Sequence, residues 1–326
     1  MMQTLSQFQE RFQTYLTQNQ FNSEPTELYA PVNYILSIGG KRLRPVLVLM
    51  SHALFEDNYE KSLPAAFAVE VFHNFTLLHD DIMDEAPLRR GKPTVHVKYD
   101  VNTGILSGDV MMIAAYDFLS KIVDETKIPT IYKTFNKVAI EVCEGQQYDM
   151  NFETRDNVTI LEYLRMIELK TSVLLAGAMQ MGAIIGNASA KDAEHIYQFG
   201  RNVGLAFQIQ DDILDTYGDP EKFGKKVGGD IVQNKKTYLV LKALETADEP
   251  TKDMLLTLMT TPTTVEAAKI EAVKTIFNQL SVRDLAEAVK EDYLQKAFEH
   301  LDEIAVPKER KKVLIDLAND LMMREV

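Results

Sequence analysis

The sequence predicts an all-α protein, a single large domain over residues 1–326 with roughly ten or more helices. Three observations predict it. Apolar residues recur at helical spacing over long runs, alternating strand patterns are nearly absent, and glycine and proline clusters punctuate the runs. From Leu63 to Met83, apolar side chains fall at Ala66, Val69, Val71, Phe72, Phe75, Leu77, Leu78 and Ile82. That is too apolar for a surface helix and predicts one buried nearly all round. Comparable runs cover Ile105 to Ile122, Ile131 to Phe152, Ile160 to Ile185 and Ala193 to Tyr217. Shorter ones cover Thr237 to Leu244, Thr264 to Gln279, Val282 to Leu301 and Lys308 to Met323.

Gly39-Gly40 and Pro45 bracket one expected loop, and Pro87, Gly91 and Pro93 another. Gly218 and Pro220 open a third, rich in glycine and lysine, and Pro250 and Pro262 punctuate the C-terminal third. Asn187-Ala188-Ser189 offers a helix stop followed by a new N-cap. No low-complexity tract or long linker separates domains.

The chain carries 35 Lys+Arg against 48 Asp+Glu, a net charge of −13. So acidic a surface is a poor phosphate-neutralising face, which excludes nucleic acid as the main partner. With 46% hydrophobic and 25% charged residues, the composition is that of a globular protein rather than a disordered one. The single cysteine, Cys143, forms no intrachain disulfide and reads as a small buried hydrophobe. The N-terminal residues lack the apolar core of a signal peptide, and stretches such as Val46 to Met50 are too short to span a bilayer. The expectation is a soluble, cytoplasmic protein.

One motif repeats. Asp80-Asp81-Ile82-Met83-Asp84 and Asp211-Asp212-Ile213-Leu214-Asp215 both read D-D-x-x-D, each near the C-terminal end of a long apolar run. On a helix, residues four apart share a face, so Asp80 stacks with Asp84 and Asp211 with Asp215. His73 and Thr76 extend the first face, and Gln208 the second. Stacked carboxylates repel, and a helix C-terminus disfavours negative charge further, so positive charge must compensate. Mg²⁺ is bound through one or two carboxylates, waters and substrate phosphates, which fits this pattern; a calcium loop does not, because these aspartates lie on helices. Four basic clusters stand against the acidic background: Gly39-Gly40-Lys41-Arg42-Leu43-Arg44-Pro45, Arg89-Arg90-Gly91-Lys92, Gly224-Lys225-Lys226 with Gly228-Gly229-Asp230, and Lys235-Lys236-Thr237. Glycines let backbone N–H groups approach an anion, and Arg and Lys bind phosphate oxygens. The coupling of aspartates to a following cationic loop, twice over, describes a site for Mg²⁺-bridged diphosphates.

Those motifs carry a resemblance. The chain is similar to the trans-isoprenyl diphosphate synthases, the polyprenyl synthetase family, from Gly39 to about Lys236. Its two aspartate motifs, Gly-Gly-Lys-Arg-x-Arg-Pro at residues 39–45, Leu88 to Thr94 and Phe207-Gln208-x-x-Asp211-Asp212 all match that family's pattern. The resemblance implies an isoprenoid synthase fold around a central apolar cavity, a homodimer, and three Mg²⁺ ions per site. It implies condensation of isopentenyl diphosphate with an allylic diphosphate: dimethylallyl, geranyl or farnesyl. By the same resemblance Asp80 and Asp84 hold two ions and Asp211 a third, with Asp81, Asp212 and Asp215 supporting through water. Arg89 binds the allylic diphosphate, and Lys170, Lys225 and Lys235 neutralise the leaving pyrophosphate. Lys41, Arg44, His73 and Arg90 bind isopentenyl diphosphate, while Thr171 and Gln208 steady the carbocation. Two departures stand out. Asn234 occupies a position where the family commonly has glycine, leaving Lys235 and Lys236 both open for the last lysine's role, and Arg324 matches only weakly a basic residue near the family's C-terminus.

Product length is expected to depend on Phe75 and Thr76, five and four residues before Asp80. An aromatic at Phe75 resembles geranylgeranyl diphosphate synthases, which implies a twenty-carbon product, with farnesyl diphosphate or a longer polyprenyl diphosphate as the alternative. Ideal geometry turns Phe75 about 140° from Asp80, so resemblance rather than spacing implicates it. The rival readings are weaker. A terpene cyclase lacks the Gly39–Pro45 and Arg89–Arg90 elements, a non-catalytic subunit tends to lose its aspartates, and a helical scaffold leaves both constellations unexplained. Glu70-Val71-Phe72-His73 is an E-x-x-H, half of a di-iron site, but no other histidine has Glu three residues before it.

Overall fold

The computed structural model describes residues 4–219, 227–260 and 265–323. In chain order the helices are α1 (Leu5–Gln18), α2 (Thr26–Ser37), α3 (Leu43–Ala53), α4 (Leu63–Met83), α5 (Val95–Lys98), α6 (Val101–Leu119) and α7 (Ile128–Thr154). After them come α8 (Ile160–Ile167), α9 (Val173–Ile185), α10 (Ala190–Tyr217), α11 (Gly229–Val232) and α12 (Tyr238–Thr246). The last four are α13 (Glu249–Thr260), α14 (Glu266–Gln279), α15 (Val282–Asp302) and α16 (Lys308–Met322). Short 3₁₀ turns occupy Tyr59–Ser62 and Glu125–Lys127. The strands among the described residues are β1 (Leu88–Arg89) and β2 (Lys92–Pro93), paired antiparallel. The predicted all-α class holds. No helix among the described residues is long and apolar enough to cross a membrane.

Contacts divide the chain into two compact units. The first comprises residues 1–137, 177–197 and 304–313, the second 138–176, 198–303 and 314–326. In the first, α4 packs against α3 and α6. Its residues Ala65 to Phe72 are all buried, which fulfils the predicted all-round burial in its first half only; Phe75, Thr76, Leu77 and His79 are half-buried and Met83 is 44% exposed. Pro64 sits in its first turn, where the absent N–H is not missed. In the second unit, Ile209 and Ile213 of α10 join Leu239 of α12, Leu255 of α13, Phe277 of α14 and Ala286 of α15 in one apolar cluster.

Several boundaries differ from those expected. The run Ile160–Ile185 is not one regular helix, because a π-helical turn at Glu168–Ser172 interrupts it. Helix α6 begins at Val101, earlier than Ile105, because Asp100 accepts from the Thr103 N–H at 2.8 Å and caps it. Pro45 does not close a loop but lies in the first turn of α3, a position proline tolerates. Helices α1, α2, α3 and α13 were not among the expected runs; α1 is mostly polar and buries only Phe8, Phe12 and Leu16 on one stripe. The stop at Asn187-Ala188-Ser189 is as predicted. Asn187 has φ of +67°, and the Ser189 hydroxyl accepts from the Asp192 N–H at 3.0 Å. Cys143 is exposed, not buried: on α7 the buried stripe runs through Val138, Ala139 and Val142, and Cys143 is turned away from it with Ile140. Pro220, Gly224, Lys225, Lys226, Pro262, Thr264 and Arg324 lie outside the described residues.

Candidate active site

The first unit carries the first aspartate motif at the very end of α4, with Asp84 as its C-cap residue. Asp80 and Asp84 share the predicted face. Asp81, one residue on, is turned inward and is 3% exposed. It accepts from Arg89 Nε at 2.8 Å and from Nη2 at 2.7 Å, a bidentate pair that fixes the guanidinium plane. The same Nη2 lies 3.8 Å from Asp80. Asp81 is thus placed as the holder of Arg89, apart from the face that Asp80 and Asp84 share. Arg89 arrives on β1 because the chain reverses through Arg90 and Gly91, with φ of +52° and +73°. That is the positive-φ pair a two-residue hairpin requires.

Arg90 then lies over residues 39–40. Its Nη1 donates to the Gly39 carbonyl, and a Cβ on Gly40 would sit 2.5 Å from that nitrogen, so only glycine admits the guanidinium there. Arg44 reaches His73, with Nη1 3.1 Å from Nε2. An arginine only donates, so this nitrogen accepts and His73 is neutral. Burial, together with Arg44, Arg90, Arg89 and Arg42 nearby, pushes His73 well below the ordinary histidine range. Burial also lowers Arg44, to about 10, which leaves it charged at neutral pH; its Nε has no partner among the described residues. Lys41 is exposed at the mouth of the same loop. One turn before Asp80, the Thr76 hydroxyl donates to the His73 carbonyl at 2.8 Å. Phe75 is half-buried, its ring 5.6 Å from Phe72 and 4.8 Å, edge-on, from His79.

The second unit carries the second motif in the last turns of α10. Asp212 is buried, and accepts from the Tyr163 hydroxyl at 2.6 Å and the Tyr238 N–H at 2.9 Å. Burial pushes its carboxyl up to about 8, against the pull of those two donors. Asp215 accepts from the Asp230 N–H at 3.0 Å. Asp211 and Gln208 are half-buried. Lys170 and Thr171 both fall inside the π turn, a feature common at functional sites because it re-aims side chains. Lys170 Nζ bonds Asp149 of α7 at 2.6 Å. The π backbone fits against two glycines: a Cβ on Gly145 would meet Lys170 N at 2.2 Å, and one on Gly204 would meet Ser172 Cβ at 2.7 Å.

Lys235 and Lys236 differ. Lys236 Nζ donates to the Phe152 carbonyl at 2.6 Å, whereas Lys235 is 60% exposed and lies 3.5 Å from Asp230. Asn234 has φ of +58°, which explains an asparagine where glycine is usual, since asparagine is the side chain that visits this region most readily. Its Oδ1 accepts from the buried Lys269 ammonium. Lys225 lies outside the described residues.

Sequence reasoning passed over Asp149 and Tyr163, and it named Arg42, Glu70 and Asp230 without the partners the structure gives them. Asp149 had a signal, its place four residues after Gly145 on a long helix, but nothing in the sequence names its partner. The oxygen donors present suit a hard divalent cation. Among the described residues no three acidic, histidine or cysteine groups gather into a ready-made cage, and Mg²⁺ does not need one, since waters and substrate phosphates complete its shell.

The chain is 40% identical over 320 residues to the short chain isoprenyl diphosphate synthase of Methanocaldococcus jannaschii, covering 98% of this chain and 94% of that protein. It is 38% identical to the geranylgeranyl diphosphate synthase of Methanosarcina mazei over 93% and 91% of the two chains. A crystal structure of a geranylgeranyl pyrophosphate synthase superposes with a TM-score of 0.95 at 49% identity, with both chains fully covered. The polyprenyl synthetase family model matches residues 25–278, and with both aspartate motifs and their basic loops inside that span, the chain belongs to the polyprenyl synthetase family.

Proposed function

We propose that the chain is a Mg²⁺-dependent prenyltransferase that joins isopentenyl diphosphate head to tail to an allylic diphosphate, giving geranylgeranyl diphosphate. The observation that carries this reading is the repeated helix-end aspartate motif with its own cationic loop, in a chain matched by the polyprenyl synthetase family over residues 25–278. The names of the Methanocaldococcus jannaschii and Methanosarcina mazei relatives support a short-chain, twenty-carbon product. When bound, Mg²⁺ would be held by Asp80 and Asp84 and by Asp211, and would neutralise charge on the diphosphate that leaves.

The chain's own residues account for the rest. Arg89, oriented by Asp81, binds the allylic diphosphate. Lys170, Lys225 and Lys235 take up the charge that builds on the departing pyrophosphate as its C–O bond breaks. Lys235 is assigned this role because its side chain is 60% exposed, whereas Lys236 is drawn to the Phe152 carbonyl. Lys41, Arg44, Arg90 and neutral His73 bind isopentenyl diphosphate. Its double bond attacks the allylic carbon, and a proton then passes to the released pyrophosphate to restore an alkene. Thr171 and Gln208 steady the cation, and apolar walls exclude the water that would quench it. Phe75 closes the path of the growing chain. A cytoplasmic location and a homodimer belong to the same proposal. The second is supported by Leu106 and Ile113 of α6, which are 59% and 67% exposed.

The test is product analysis. Purified protein is incubated with Mg²⁺, isopentenyl diphosphate and each allylic primer in turn. Twenty-carbon product is expected, and Phe75→Ala should lengthen it. Products beyond twenty-five carbons from the unaltered protein rule out Phe75 as the floor, and turnover without isopentenyl diphosphate rules out the condensation.

A further inference from the structure

Glu70 is the part of the E-x-x-H segment for which the reaction above has no use. Its side chain on α4 is only 4% exposed, a costly place for a carboxylate unless it is paired. It is paired, by Arg42 Nη1, and its Oε1 also accepts from Asn74 Nδ2 at 2.9 Å. Arg42 is itself unusual. It is left-handed, with φ of +49°, and it ends a stretch in which Gly39 and Gly40 have φ of +97° and +126°. A side chain with a Cβ enters that conformation only at a cost, so something must hold it there. The Arg42 guanidinium is anchored at both ends, by Glu70 and by the Leu36 carbonyl. On either side of Arg42 stand Lys41 and, two residues on, Arg44. Glu70 and His73 lie three apart on one face of α4, and that face grips the loop twice, Glu70 at Arg42 and His73 at Arg44.

Resting on the reading that Lys41 and Arg44 bind isopentenyl diphosphate, we propose that Glu70 is a positioning residue that acts through Arg42 to set the 39–44 loop for that substrate. Glu70 touches no substrate in this account. Its charge also sustains Arg44 and Arg90 against the burial that lowers both.

The proposal predicts a sign. A carboxylate near a diphosphate site, acting by charge alone, repels the ligand, so removing the charge would tighten binding. A positioning carboxylate does the opposite. In Glu70→Gln the KM for isopentenyl diphosphate should rise about tenfold while the KM for the allylic substrate stays within about twofold. Arg42→Gln should do the same, and the double variant should be no worse than either single one, since both break one link. An unchanged or lower KM for isopentenyl diphosphate in Glu70→Gln overturns the proposal, as do additive effects. So does a fall in melting temperature with both KM values unchanged, which marks Glu70 as purely structural. If Glu70→Gln does not fold, Glu70→Asp keeps the charge but shortens the reach, and it should raise the same KM selectively; no change there also overturns the proposal. Failure of the parent protein to require isopentenyl diphosphate would instead refute the functional reading, and is seen without any variant.

Discussion

At the scale of single residues, adjacent aspartates of one motif have different work. Asp80 and Asp81 are neighbours in sequence, yet Asp81 is buried and bidentate to Arg89 while Asp80 stays on the open face. Asp211 and Asp212 divide in the same way, with Asp212 held by Tyr163 and the Tyr238 backbone. A helix turns about 100° per residue, so consecutive carboxylates cannot share a face, and one of each pair becomes internal scaffolding. Asn234 shows a second kind of dependence. It combines a left-handed backbone with an acceptor for buried Lys269. Asn234→Ala should therefore lose about 2 kcal/mol of stability in urea denaturation, from left-handed strain and from a buried ammonium stripped of that acceptor, and Asn234→Gly should lose less. Equal losses in the two variants would show that the backbone conformation plays no part.

At the scale of elements, the π turn at Glu168–Ser172 is the feature that sequence periodicity did not reveal. One extra residue in a turn leaves the apolar spacing on either side intact, so the run reads as a single helix. What admits the turn is space, supplied from two other helices by Gly145 and Gly204. Gly145→Ala should cost about 1–3 kcal/mol through overpacking, because the new Cβ meets backbone rather than a movable side chain. Because that backbone carries Lys170, kcat should fall more than melting temperature alone explains, while the KM for isopentenyl diphosphate is unchanged. Steady-state kinetics beside thermal melts measure both. The hairpin β1–β2 was equally invisible as strand, since it has only two residues on each side, but its Arg90-Gly91 turn was legible as a breaker.

At the scale of the whole molecule, the proposed homodimer rests on Leu106 and Ile113, which stand exposed on α6 on either side of Asp109. Ile113→Glu replaces the most exposed apolar side chain of α6 with a further negative charge and should convert a dimer into a monomer, as measured by sedimentation equilibrium. A protein that is monomeric before the change removes this surface from the proposal. The sequence by itself determined the helical class, since long 3.6-residue periodicity has no other stable solution, and it determined the two aspartate motifs and their cationic loops, since their spacing is local. Only the tertiary structure decided which aspartates face inward, that Lys236 bonds the Phe152 carbonyl, that Cys143 is exposed, and that Glu70 answers Arg42. Each of these depends on partners far apart in the chain, such as Tyr163 for Asp212 or Phe152 for Lys236, and a local pattern carries no record of which distant atoms will fill a buried group's hydrogen bonds.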